Sequence, residues 1–169
     1  MSAVEIHPET PSDFDAIRRA VAAAFENHPH SNQTEHLLID QLRGAGALTI
    51  SLVAIVDGQV VGHIAFSPVT IDGEFCSWYG LALVSVHPTS QRRGIGGKLI
   101  MDGLDRLREL DAKGCVLLGG PDYYGRFGFA AKEGLILEDV PPEYFLAWPF
   151  SREPVHGIVK YHDAFAICD

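Results

Sequence analysis

Gln91-Arg92-Arg93-Gly94-Ile95-Gly96-Gly97-Lys98 decides how the rest of this 169-residue chain is read. An almost wholly apolar run, Leu81-Ala82-Leu83-Val84-Ser85-Val86, leads into it, and Ile95, Leu99, Leu104, Leu107 and Leu110 follow at about helical spacing. A strand therefore feeds a helix through a basic, glycine-rich turn. Gly94, Gly96 and Gly97 at a helix start cost roughly 1 kcal/mol each relative to alanine, so local stability does not account for them. A ligand does. Glycine lets it approach the backbone, the first helical turn offers unpaired N–H groups and a partial positive charge, and Arg92, Arg93 and Lys98 add cations. Together these suit a pyrophosphate; the plainer alternative is a glycine-softened turn with incidental surface charge.

The length is that of one domain with a real core, and residues 1–169 are expected to form it. With 13 Lys+Arg against 22 Asp+Glu the net charge is −9, which excludes a general nucleic-acid or anionic-membrane binder but leaves room for a local basic pocket. Cys76, Cys115 and Cys168 are odd in number, far apart and without C-x-x-C, so neither a disulfide framework nor a zinc knuckle is indicated and a reducing cytoplasm fits. Met1 to Ile6 lacks a basic region followed by an apolar run, and no segment approaches the ~20 apolar residues that span a bilayer. A soluble, unprocessed protein is expected.

Residues 3 to 7 suit a short strand, and Thr10-Pro11-Ser12-Asp13 reads as a helix start, with an N-cap, a proline at the first helical position and an acid in the first turn. That helix carries Phe14, Ile17, Val21, Ala24 and Phe25 on one face and fades in the polar loop Asn27 to Asn32; a second is expected over about 34 to 43. His28, His30 and His36 lack a fourth ligand or a carboxylate at any recognised spacing, so they read as solvated histidines and no metal site is expected. From Thr49 the pattern changes to strands at 49 to 56, 60 to 70 and about 75 to 87, parted by the hairpin turns Asp57-Gly58 and Asp72-Gly73. The third, apolar on both faces between 78 and 86 apart from Ser85, should be central and covered on both sides. After Pro88 a helix over about 94 to 111 crosses back, Lys113-Gly114 ends it, and Cys115 to Leu118 forms a strand parallel or nearly so to the one before. Ligands in such sheets lie beyond the carboxyl ends of the strands, which puts Val86 and Gly119 at one mouth beside the helix N-terminus. Tyr123 to Phe129 predicts a single helical turn delivering aromatics to that mouth, with Phe127 and Phe129 closing the core edge and Tyr124 suited to either role. Residues 134 to 140 and 157 to 161 read as further strands, separated by an aromatic segment, Glu143 to Phe150.

This order of elements resembles the GNAT superfamily of acetyl-CoA-dependent N-acetyltransferases, whose signature Q/R-x-x-G-x-G/A is met by Gln91-x-x-Gly94-x-Gly96. The pattern fixes only three positions and is weak alone, but the resemblance spans almost the whole chain. It implies the GNAT α/β fold, a central mixed, mostly antiparallel sheet flanked by helices on both faces. It also implies acetyl-CoA as acyl-donor cosubstrate. In that arrangement the backbone of Val84, Ser85 and Val86 pairs with the pantetheine arm, while the turn that opens at Gln91 holds the pyrophosphate on Arg92, Arg93, Gly94, Ile95, Gly96 and Gly97, with Lys98. Arg92 or Arg93 also reaches the adenosine 3′-phosphate. Tyr124 stands four residues before Gly128-Phe129, as a tyrosine does in many members, and is thereby the candidate general acid. The late pattern from Gly157 to Phe165 resembles a subgroup of small, uncharacterised bacterial-type members.

The implied reaction moves an acetyl group to a primary amine of a small molecule or peptide by direct attack on the thioester. A phenol of pKa near ~10 protonates the departing thiolate or hydrogen-bonds to it, and no covalent enzyme intermediate is required. Cys115, at a strand start on the side away from the mouth, reads as a buried structural thiol. No Asp or Glu lies at 78 to 87, so the general base stays open among His63, Glu74, Tyr79 and His87, and an acceptor that arrives deprotonated needs none. Gly119-Gly120 leaves only backbone for substrate contact after the strand. The acceptor side is expected at the loop of about 27 to 33 and the strand hairpins, where histidines and the acidic balance favour a cationic amine. One rival reading is a catalytically silent acyl-CoA-binding sensor that keeps the groove. Another is a nucleotide-binding phosphotransfer protein, against which stands the absence of G-x-x-x-x-G-K-[ST], Lys98 being followed by Leu99. The exposed sheet and C-terminal aromatics leave a homodimer open.

Overall fold

The computed structural model describes residues 3–29 and 31–168. β1 (Glu5–Pro8) opens it, and the chain then turns at Thr10, whose N–H donates to the Asp13 carboxylate at 2.9 Å. Pro11 begins a 3-10 turn that runs into α1 (Phe14–Phe25), and α2 (Glu35–Gly44) follows. Next come β2 (Ile50–Val56), β3 (Gln59–Pro68), β4 (Thr70–Ile71) and β5 (Trp78–Val86). Asp57-Gly58 and Asp72-Gly73 all take positive φ, the geometry of two-residue hairpin turns that match strand twist. Beyond β5 lie α3 (Ile95–Glu109), β6 (Gly114–Leu118), the one-turn α4 (Pro121–Tyr124), β7 (Ala130–Ala131), β8 (Leu135–Ile136), β9 (Phe145–Pro149) and β10 (Gly157–Lys160).

Among the described residues the strands form a seven-stranded sheet in the order β1-β2-β3-β5-β6-β9-β7 and a small one in the order β4-β10-β8. The large sheet is antiparallel except where β5 meets β6. One face, through Leu52, Ile64, Phe66, Leu81 and Leu117, packs on Ile95, Leu99, Leu104 and Leu107 of α3. The other, through Val53, Ala65 and Leu83, packs on Ile17 and Val21 of α1 and Ile39 of α2. This is the helix-flanked, mostly antiparallel α/β architecture expected, with β5 central and covered on both sides.

Several boundaries differ from expectation, each for a local reason. The second meander strand ends at Pro68, which has no N–H to donate, and β4 pairs with β10 instead. The third starts at Trp78 because Ser77 sits at φ 64°. α3 stops earlier than Lys113-Gly114: Asp111, at φ 60°, takes the left-handed position that ends it. Gly114 serves packing, since a Cβ there would lie 2.4 Å from the Trp78 ring. The strand expected over 134 to 140 shrinks to β8, because Asp139 at φ 66° interrupts the extended chain ahead of Pro141-Pro142.

Candidate active site

The site begins with a defect in the sheet. Ala65 pairs with Leu83 but Phe66 pairs with Leu81, so Ala82 is an extra residue bulged out of β5. A bulge bends its strand and re-aims the side chains that follow. Here Leu83 turns toward α1 and α2 while Val84 and Val86 turn toward α3. Parallel pairing of β5 with β6 ends at Gly80↔Val116, whereas the opposite edge of β5 stays paired to β3 as far as Val86. The backbone from Leu81 to Val86 therefore borders a groove between parted strands.

Two connected cavities fill that groove. The larger, about 830 Å³, lies between Val84 and Val86, the turn at Ser90, Gln91 and Arg92, the first turn of α3 at Gly94 to Gly97, and Tyr123, Arg126 and Phe127. The smaller, about 400 Å³, runs from Leu81 to Val86 toward Leu117, Leu118 and Tyr124, with Ala24, Phe25 and His28 on its far side. Val84, Val86 and Gln91 belong to both.

Gly94 caps α3 at φ 76°, where a side chain would be strained, and Arg92 is held at φ 66°. A non-glycine residue in that region costs about 1–3 kcal/mol and persists where its surroundings demand it. The backbone hydrogen bond from Lys98 N–H to Gly94 closes the first turn at 3.1 Å, which leaves the amides of Ile95, Gly96 and Gly97 without intrahelical partners at the positive end of the helix. Added Cβ atoms on Gly96 and Gly97 would come no nearer than 3.4 Å to Tyr123 and Phe127, so these glycines keep the helix start low and open rather than relieve strain. Gln91 donates its side-chain amide to the Val86 carbonyl at 3.0 Å and so ties the turn to the end of β5. The Ile95 side chain is buried in the core between α3 and the sheet, and the residue also borders the larger cavity. Ser85 is 5% exposed and lines the smaller cavity, not the larger. Arg93 and Lys98 are exposed and line neither.

Tyr124 faces the smaller cavity, its ring edge-on to Tyr123 at 4.9 Å and Phe129 at 6.3 Å. Gly119 makes room for it: a Cβ there would fall 2.5 Å from a Tyr124 ring carbon. Burial, and then the neighbouring Tyr123, raise the phenol pKa, so its proton stays in place across the neutral range. Cys115 lines neither cavity and is wholly buried, which drives its thiol pKa strongly upward and leaves it inert. Among the described residues no group of three His, Cys, Asp or Glu side chains is placed to hold a metal ion, and His30 lies outside them. No described helix is long and apolar enough to cross a membrane.

A family model for the acetyltransferase (GNAT) domain matches residues 5–131. The chain belongs to the GNAT acetyltransferases. The uncharacterised N-acetyltransferase YhbS of Escherichia coli is 35% identical over 167 residues, covering 95% of this chain and 97% of that protein. A GNAT family acetyltransferase from Brucella melitensis, solved with acetyl-CoA, superposes with a TM-score of 0.87 at 50% identity, covering 96% of this chain and 98% of its own. The YhbS structure, solved with CoA, superposes at 0.91 with 33% identity, covering 98% and 93%.

Within this GNAT groove, the sequence signature brought out one wall and missed the other. Arg126 is a further cation at the larger cavity, stacked 4.5 Å over Tyr123 and bonded through Nε to the Tyr123 carbonyl at 3.2 Å. Phe127 is half-buried on the cavity wall rather than sealed in the core, whereas Phe129 is buried as expected. The lining of the smaller cavity includes no carboxylate among the described residues.

Proposed function

We propose that the chain transfers an acetyl group from acetyl-CoA to a primary amine, which attacks the thioester directly. The observation that carries this reading is a single groove, with the unpaired edge of β5 between a cationic helix start at one end and Tyr124 at the other. The amides of Ile95 to Gly97, with Arg92 and Arg126 beside them, hold the pyrophosphate; Arg93 and Lys98, outside the wall, add long-range charge and reach the 3′-phosphate side. The edge from Val84 to Val86 pairs with the pantetheine amides as an added strand would. The thioester then lies at the bulge, in the smaller cavity with Tyr124, whose protonated phenol meets sulfur as the C–S bond breaks. The acetyl-CoA and CoA complexes of the Brucella and YhbS proteins support the donor assignment.

Acceptor-dependent release of CoA thiol from acetyl-CoA, measured across a panel of alkyl, aryl and peptide amines, tests the reading. Turnover with at least one amine and recovery of its N-acetyl product are expected. Binding of acetyl-CoA without turnover on any amine would replace this reading by that of a silent acyl-CoA sensor. Because Gly119 seats Tyr124, Gly119→Ala should lower kcat about 10-fold or more, a general-acid effect. The Kd for acetyl-CoA should stay within about twofold, under 0.5 kcal/mol.

A further inference from the structure

Four general-base candidates come from the sequence, and none lines the cavity that holds Tyr124. His87 caps the turn after β5, its Nδ1 accepting the Thr89 N–H at 3.2 Å. Glu74 lines a separate cavity with Lys113 and His156, and Tyr79 packs on Phe75 at 5.7 Å. His63 is fully buried in β3. It is nevertheless the one candidate that stands directly opposite a residue of that cavity, Ser85, in the β3–β5 ladder.

Behind His63, on the side away from Ser85, runs a directed chain of hydrogen bonds. The Glu9 carboxylate takes Arg43 Nε at 2.9 Å and Nη2 at 2.8 Å, and the Ser51 hydroxyl at 2.5 Å. Burial opposes its charge, but the bonds from Arg43 and Ser51 outweigh it and hold the Glu9 carboxyl below the usual range. An ionised carboxylate only accepts, so the single Ser51 proton points to Glu9. Ser51 Oγ, 2.7 Å from His63 Nε2, must therefore accept from it. That places the imidazole proton on Nε2 and leaves a bare lone pair on Nδ1.

Nδ1 of His63 is buried without a hydrogen-bond partner, and so is Oγ of Ser85. The two residues sit directly opposite each other in the β3–β5 ladder, and Ser85 lines the cavity that contains Tyr124. Directly paired side chains on one sheet face start about 4.5–5.5 Å apart at Cβ, a gap that a change of the Ser85 rotamer or one bridging water would close. Buried unpartnered polar atoms are rare in native proteins, and two on facing positions call for a joint explanation.

We propose that Ser85 and His63, oriented by Ser51 and Glu9, carry away the proton of the acceptor nitrogen. This rests on the acetyltransferase reading above. As the nitrogen bonds to the thioester carbon, its N–H proton passes to Ser85 Oγ while the Ser85 proton passes to His63 Nδ1. The C–S bond then breaks, and the thiolate takes the Tyr124 proton. The resulting imidazolium faces Glu9 through Ser51; once the product has left, its proton returns through Ser85 to water entering the cavity and the Tyr124 phenolate takes a proton from water, which restores both groups. Burial holds the resting His63 pKa down at about 4, with Glu9 raising it and Arg43 lowering it as the charges that act on the ring. The lone pair is thus available throughout the neutral range. Ser85 is the residue that touches the reacting nitrogen; His63, Ser51 and Glu9 are positioning residues behind it.

The test uses the best acceptor of the amine panel with Ser85→Ala, Ser85→Thr, His63→Phe and the double variant Ser85→Ala/His63→Phe. Ser85→Ala is expected to lower kcat about 100-fold with KM for acetyl-CoA unchanged, and Ser85→Thr to recover at least ~10-fold of it. The double variant should be no slower than the slower single one, because both residues serve one route. A Ser85→Ala kcat within about threefold of wild type, or single losses that multiply in the double variant, would overturn the relay while leaving the acetyltransferase reading intact. Absence of turnover in the wild-type protein would overturn both.

Discussion

Gly96→Glu is expected to abolish CoA binding in a protein that folds at least as well as the original. The two effects have opposite signs for separate reasons. At the second position of α3 a glycine costs roughly 1 kcal/mol relative to a residue with a side chain, and an acid in the first turn is favoured by the helix dipole. A Cβ there meets nothing nearer than the Tyr123 hydroxyl at 3.4 Å, so the fold accommodates it. The same side chain points into the larger cavity and sets a negative charge against the amides of Ile95 and Gly97, where the pyrophosphate is proposed to sit. A loss of at least ~100-fold in affinity, about 2.7 kcal/mol, is expected by calorimetric titration with CoA. The midpoint of urea unfolding should stay level or rise. Unchanged affinity in the folded variant would remove the pyrophosphate from this turn.

The second large effect is expected at Tyr124. Tyr124→Phe keeps the ring, and with it the edge contacts to Tyr123 and Phe129, and removes only the hydroxyl. If that hydroxyl protonates the leaving thiolate, kcat should fall about 100-fold or more, with the Kd for acetyl-CoA nearly unchanged. The pH dependence adds a sign. Because burial, and then Tyr123, raise the phenol pKa, the acid form persists to alkaline pH, and the limb of kcat that reports its loss should lie on the alkaline side of an ordinary phenol's titration. Steady-state kinetics across pH with the best acceptor checks both points. A variant as fast as wild type would show that the thiolate leaves without Tyr124.

What the sequence made legible, and what it did not, follows from the range of the forces involved. The hairpins at Asp57-Gly58 and Asp72-Gly73, the cap at Thr10 and the glycine-rich start of α3 are local, so a few adjacent residues display them. The central place of β5 shows in a run that is apolar on both faces. The bulge at Ala82 has no such local mark, because it depends on how β3 pairs and not on which residue bulges. The aromatic turn at Tyr123 to Phe129 does reach the mouth as its sequence suggests, but nothing near Arg126 and Phe127 says that they, and not only Tyr124, line the cavity beside Gly96 and Gly97. The Glu9–Ser51–His63 chain joins residues 42 and 12 positions apart, and the polar pattern of each strand alone reads as ordinary. Gly119 offers only backbone in sequence, and its missing side chain is the space that the Tyr124 ring occupies, which no local pattern marks.

Amide hydrogen exchange with and without acetyl-CoA tests the central claim most directly, because it reads donor binding residue by residue. The groove between β5 and the start of α3 should show slowed exchange at Val84 to Val86 and at Arg92 to Lys98, with no comparable protection at the separate cavity lined by Glu74, Lys113 and His156. Protection confined to that other cavity, or none anywhere at saturating acetyl-CoA, would contradict the account.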